Sequence, residues 1–145
     1  MIVNAIVVDT NLIFSALLLK NSKIRDALYN PSTNFYAPNF LIVEIFKHKD
    51  RILQSSKLSE SEFYEFFNGL IERITFVPLE IISVESRQKA YLLCHEVDIN
   101  DIPFISLALE LDIPFWTGDI KLMKGLQIKG YSNFYRIEDN PATPG

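Results

Sequence analysis

Four acidic residues in this 145-residue chain sit where chemistry could be done: Asp9, Glu44, Asp101 and Asp119. Asp9 directly follows the apolar run Ala5-Ile6-Val7-Val8, and Asp119 comes just after Pro114-Phe115-Trp116-Thr117. Asp101 opens an apolar helical stretch, and Glu44 lies between Val43 and Ile45 in a segment that also carries Phe40 and Leu41. Carboxylates crowded into a partly dry cleft repel one another and lose hydration. Protonation relieves that cost, and so does a hard cation. Mg²⁺ and Mn²⁺ favour such oxygen ligands and keep several waters. Either ion can activate water and neutralise charge on a phosphodiester. Asp98 is a candidate fifth ligand, and Thr10, Asn11 and Thr117 could orient a carboxylate. Lys121 and Lys124 follow Asp119 closely and could hold a phosphate backbone beside such a site, although a solvated helix face is the usual explanation for such a cluster.

Each residue also has a plainer reading. Asp9 and Asp119 can be helix N-caps, Asp98 and Asp101 turn or cap residues, and Glu44 a solvated helix residue. Thr10, Asn11 and Thr117 can serve turns and caps. The signal is the set of acids at strand and helix ends, not any single member.

The elements that must position them alternate between short apolar strands and amphipathic helices. Strands are expected at Ala5–Val8, Phe35–Ala37, Thr75–Val77 and Pro114–Thr117, with a fifth at Phe134–Arg136 on the sheet edge. Ala5–Val8 reads as a strand buried on both faces. A helix should run from Asp9-Thr10-Asn11 to about Lys20, and another over Ser22–Tyr29. A single helix should run from Pro38-Asn39 through Glu44 to about Leu53. Ser59-Glu60-Ser61-Glu62 reads as a capped start, followed by Phe63, Phe66, Phe67, Leu70, Ile71 and Ile74 at helical spacing. Further helices are expected at Ser83–His95 and Asp101–Leu111, and a short one from Asp119 to Met123. This alternation predicts an α/β layer fold, α/β/α, around a mostly parallel sheet of four or five strands. Residues 1–137 read as a single domain and 138–145 as a polar tail.

Composition narrows the function classes. Apolar residues make up 48% and charged residues 22%, a globular balance. The formal charge of −4 argues against nucleic-acid binding by net charge alone. Cys94 is the single cysteine, so no internal disulfide forms, and a cytoplasmic location is expected. Cys94 itself reads as a small buried group. The apolar start, Ile2 to Leu19, lacks a basic leader and is broken by Asn4, Asp9 and Asn11, so it is expected neither to direct export nor to span a membrane. His48 and His95 have no ligand partner in sequence. Trp116 reads as core, with Trp116 and Tyr131 as candidate stacking surfaces for unpaired bases.

Several motifs match a known family in order. Val7-Val8-Asp9-Thr10-Asn11 resembles the opening motif of PIN domains. Leu41-Ile42-Val43-Glu44-Ile45 resembles the second motif, and Asp98-Ile99-Asn100-Asp101-Ile102-Pro103-Phe104-Ile105-Ser106-Leu107-Ala108-Leu109 the third. Phe115-Trp116-Thr117-Gly118-Asp119 with Lys121-Leu122 resembles the fourth. Ile102-Pro103 departs from the pattern, since many members have Ala directly after the Asp. The resemblance covers nearly the whole chain. It implies an Mg²⁺- or Mn²⁺-dependent endoribonuclease with Asp9, Glu44, Asp101 and Asp119 as catalytic metal ligands. It further implies similarity to VapC-like toxins of toxin–antitoxin pairs, which form homodimers and are silenced by a small antitoxin. Two other readings compete: a PIN-like module that binds RNA or protein without catalysis, and a phosphoaspartyl phosphatase. The phosphatase chemistry needs a second acid two residues after the first, where this chain has Asn11.

Overall fold

The computed structural model describes residues 4–18 and 22–137. The tail at 138–145 lies outside the described residues, as do the last residues of the first expected helix.

Strand β1 (Asn4–Val8) is the centre of the sheet. Ile6, Val7 and Val8 are all buried. Successive strand side chains point to opposite faces, so both faces of β1 are covered by helices. β2 (Thr33–Pro38) and β4 (Phe115–Trp116) flank it, and β3 (Ile74–Val77) lies beyond β2, giving the order β3-β2-β1-β4. Every pairing is parallel, with Val7 opposite Tyr36 on one side and Phe115 on the other. The expected fifth strand is reduced to one parallel bridge between Phe115 and Phe134. There the Phe115 N–H donates to the Asn133 carbonyl and the Tyr135 N–H to the Phe115 carbonyl, each at 3.0 Å.

Eight helices connect and cover the strands among the described residues. α1 (Thr10–Leu17) follows β1 and packs on α2 (Ser22–Leu28), α3 (Phe40–Lys47) and α5 (Glu60–Arg73). α5 starts on a complete capping box: Glu62 N–H donates to Ser59 Oγ at 3.1 Å, and Ser59 N–H to Glu62 Oε1 at 3.0 Å. Its apolar stripe buries Phe63, Phe67 and Leu70. α7 (Ile102–Leu111) packs on β1 and β2 and against α6 (Val84–Cys94). Phe104 through Ala108 of α7 are buried, the mark of a helix covered on most sides. Pro103 sits in its first turn, where a missing N–H costs nothing.

Two expected helices differ from the structure. The one read as continuous to Leu53 breaks at His48 (φ −107°, ψ 12°), leaving α3 and a separate α4 (Lys49–Ser55). The His48 ring meets Phe14 of α1 edge-on at 5.7 Å, a tertiary contact that periodicity does not register. The helix after Asp119 is longer than expected: α8 runs Ile120–Ile128 and stops before Gly130, whose φ of 97° favours glycine.

Candidate active site

The chain leaves β1 toward β2 and β3, then returns to the other flank of β1 as β4. That reversal makes a crevice at the carboxyl ends of the strands, the usual ligand position in parallel α/β sheets. Asp9 leaves β1 there, and Thr117-Gly118-Asp119 leaves β4.

Asp9 is buried, 1% exposed, and both oxygens are engaged. Leu12 N–H donates to Oδ1 at 2.9 Å, which caps α1. The Thr117 hydroxyl donates to Oδ2 in a short bond. Thr117 Oγ1 in turn accepts the Asp119 N–H at 3.0 Å. This chain of bonds ties the end of β4 to the end of β1. Asp119 Oδ1 accepts the Leu122 N–H at 3.0 Å and so caps α8. Capping and site membership are therefore compatible for Asp9 and Asp119, because a carboxylate has lone pairs for both.

Glu44 reaches the crevice from α3. The Thr10 hydroxyl donates to Glu44 Oε1 at 2.5 Å, joining α1 to α3. Val43, the apolar neighbour of Glu44, is 58% exposed, so burial in α3 falls on Leu41 and Ile45 instead. Asp101 lies at the amino end of α7, and its side chain makes no capping bond. Asp98 does cap: its Oδ1 accepts the Asn100 N–H at 2.9 Å at the start of a short 3-10 turn, Ile99–Asp101. Asn11 is exposed, and no hydrogen bond links it to these acids among the described residues.

Electrostatics couples the group. Burial pushes the Asp9 carboxyl up to about 7; the Thr117 and Leu12 bonds oppose this, and the charges of Asp119 and Glu44 add to it. Burial pushes Asp101 up to about 8, reinforced by Asp9, Asp98, Glu44 and Asp119 in that order. Five acids from four segments of the chain thus bear on one another. Asp98 and Asp101 also reach Cys94, whose thiol burial pushes up to about 12, so this buried cysteine stays a neutral thiol.

The donor set is all oxygen and holds more negative charge than its hydrogen bonds absorb, which suits a hard divalent cation. Among the described residues, no three His, Cys, Asp or Glu side chains are grouped to hold a metal ion as they stand. The fit therefore rests on donor chemistry and shared charge.

The PIN-domain family profile matches residues 7–136. The chain belongs to the PIN-domain family. No curated protein matches it. PIN domains are generally nucleases, and PIN nucleases usually use divalent metals. The four-strand parallel sheet flanked by helices is the PIN-like architecture.

Around the acids of this PIN domain, the remaining candidates separate. Lys121 and Lys124 are exposed on α8, and Lys124 lines a groove that also includes Thr117 and Gly118. Trp116 is core, 4% exposed, with its ring edge-on to Tyr135 at 5.2 Å. Tyr131 is buried against Phe134 and donates to the Asn133 carbonyl at 3.2 Å, so it offers no stacking platform. His95 has partners the sequence did not reveal: it stacks on Tyr91 at 4.8 Å and meets Glu96 at 3.4 Å. Arg136 lines the same groove as Lys124. It lies in a segment read as an edge strand, and nothing in its local sequence points toward the acids. Among the described residues, no helix is long and apolar enough to cross a membrane.

Proposed function

We propose that this PIN domain is an Mg²⁺- or Mn²⁺-dependent endoribonuclease. The observation that carries the reading is the shared perturbation of Asp9 and Asp101, which come from distant parts of the chain. Asp9 is buried and Asp101 half-buried; withdrawal from water, reinforced by the charges of the other acids, pushes both carboxyls up to near neutral pH. Uncompensated carboxylates of this kind cluster at functional sites.

Asp9, Glu44, Asp101 and Asp119 would hold the cation. When bound, it would neutralise these carboxylates and polarise both the phosphodiester and the attacking water. The chain's own contribution is orientation. Thr117 fixes Asp9 against Asp119, and Thr10 fixes Glu44 against α1. Asp98 supports the turn that presents Asp101. Rigid partners of this type hold ligands in a productive geometry.

The same reading extends to biology. A cytoplasmic toxin, VapC-like, working as a homodimer and silenced by a small antitoxin, is the proposed setting. The exposed Val43, Phe46 and Tyr64 on α3 and α5 are a candidate surface for the twin subunit or the antitoxin. A non-catalytic PIN-like binding module is the second reading, favoured by the lack of a ready-made three-acid metal group among the described residues. Incubation of mixed RNA with Mg²⁺, Mn²⁺ or EDTA separates the two. Cleavage that needs the cation and disappears in Asp101→Asn supports the nuclease. Intact RNA under every condition supports the binding module.

A further inference from the structure

We infer that the small cavity between α1 and α4 is a binding site for one phosphate group, carried either by a free phosphate ion or by the end of a nucleotide chain. The site needs neither a metal nor cleavage, so it stands apart from the ribonuclease reading.

Size selects the ligand. The cavity measures about 100 Å³ and is lined by Phe14, Leu18, His48, Arg51, Ile52 and Ser55. At about 30 Å³ per water, it has room for roughly three waters. A phosphate group fits there. A base with its ribose does not, since sites for larger ligands begin at roughly 300 Å³.

The lining divides into walls and donors. His48, Arg51, Ile52 and Ser55 are spaced three and four apart, so they share one face of α4 and its N-cap. Phe14 and Leu18, one turn apart on α1 and its C-cap, close the cavity from the other side. The His48 ring meets Phe14 at 5.7 Å and holds the two sides together. Phe14, Leu18 and Ile52 are apolar, which lowers the local dielectric and strengthens any ionic hydrogen bond made beside them. His48, Arg51 and Ser55 bring N–H and O–H donors, and the fork of an Arg guanidinium matches phosphate with two parallel bonds.

Charge points the same way. No acidic residue is among those lining the cavity. Lys49, on the same helix, is already engaged: it donates to Glu60 at 2.9 Å and to Tyr64 at 2.7 Å. His48, Arg51 and Ser55 make no side-chain hydrogen bond or ion pair among the described residues. The carboxyl end of α1 brings partial negative charge near the cavity, but Arg25 donates to the Ala16 carbonyl there at 2.8 Å and offsets it. At His48 the end of α3 meets the start of α4, so the opposite partial charges of that junction oppose one another. The Arg51 guanidinium is left facing the cavity with no anion beside it among the described residues.

The test is isothermal titration of the full chain with inorganic phosphate, in EDTA and at constant ionic strength. Wild type should bind one phosphate per chain. Arg51→Gln should weaken binding by about 10–100-fold, the loss expected for a hydrogen bond to a charged group. Arg51→Lys should recover only part of that loss, because it restores the charge without the fork. Ser55→Ala should cost about threefold to tenfold. Arg51 and Ser55 are exposed on α4, so these variants leave the core intact. Lys47→Gln removes a neighbouring exposed charge that does not line the cavity, and it should bind like wild type.

The second arm titrates a four-nucleotide RNA bearing a 5′-phosphate against the same RNA with a 5′-hydroxyl. A preference for the phosphorylated end that disappears in Arg51→Gln assigns the site to the end of a chain. Arg51-dependent binding of inorganic phosphate without that preference assigns it to the free ion. Binding of neither titrant, or binding that Arg51→Gln leaves unchanged, overturns the site. So does a loss in Lys47→Gln as large as that in Arg51→Gln, because diffuse surface charge then explains the binding.

Discussion

Replacing Asp9 with Asn should make the metal-free protein more stable at alkaline pH and remove its response to metal. The folded carboxyl holds its proton up to about 7 against an ordinary 3.8. In the unfolded chain Asp9 titrates near that ordinary value. Between the two, the folded state binds more protons, so stability falls as pH rises. The penalty is absent below about pH 4 and complete above about pH 7. A difference from 3.8 to about 7 corresponds to about 4 kcal/mol. The amide introduced by Asp9→Asn would keep the oxygen that accepts the Leu12 N–H but disturb the Thr117 bond, at a cost of about 1 kcal/mol. The net gain at pH 8.5 is roughly 3 kcal/mol, or about 6–12 °C in a domain of this size. The assay is thermal unfolding by circular dichroism in EDTA at pH 5 and pH 8.5, repeated at pH 8.5 with Mn²⁺. Wild type should lose stability from pH 5 to pH 8.5 and recover it with Mn²⁺. Asp9→Asn should show a shallower pH dependence and little response to Mn²⁺. An Asn variant that melts below wild type at pH 8.5 in EDTA would refute the argument from buried charge. So would a wild-type protein whose melting ignores Mn²⁺.

Three other outcomes are expected. Thr117→Val should lower Mn²⁺ affinity and cleavage about 10–100-fold, because it frees both Asp9 Oδ2 and the Asp119 N–H; isothermal titration and RNA cleavage measure the two effects. Phe63→Ala should destabilise the fold by about 3–5 kcal/mol in urea unfolding, since Phe63 is fully buried and stacks on Phe67 at 5.9 Å. Ser59→Ala should cost about 1 kcal/mol in the same assay, with RNA cleavage unchanged, because the capping box lies on α5 away from the acids.

Local patterns carried much of the fold. The β-branched run before Asp9 made a strand whose side chains alternate between two covered faces, as in a parallel sheet with helices on both sides. The spacing of Phe63, Phe67 and Leu70 made α5, and Ser59 with Glu62 fixed where it begins. Where the chain bends because of a distant contact, those patterns fail. His48 breaks a helix that reads as continuous, because its ring packs on Phe14, 34 positions earlier in the chain. The last expected strand shrinks to one bridge, because β4 itself spans only Phe115 and Trp116 and leaves little edge to pair with.

By itself, the sequence determined which residues could cap a helix, end a strand or offer an oxygen to a cation. Residue type and near-neighbour spacing are enough for that. It could not determine that Thr117 bonds Asp9 across 108 positions or that Thr10 bonds Glu44 across 34. Nor could it place Arg136 beside Lys124. Those pairings follow from strand order, because returning β4 to the open flank of β1 brings distant segments to one sheet edge. The depth of that edge also decides how far each acid is withdrawn from water. Tertiary structure alone made Asp9 and Asp101 reluctant to ionise, and left Asn11, close to Asp9 in sequence, in solvent.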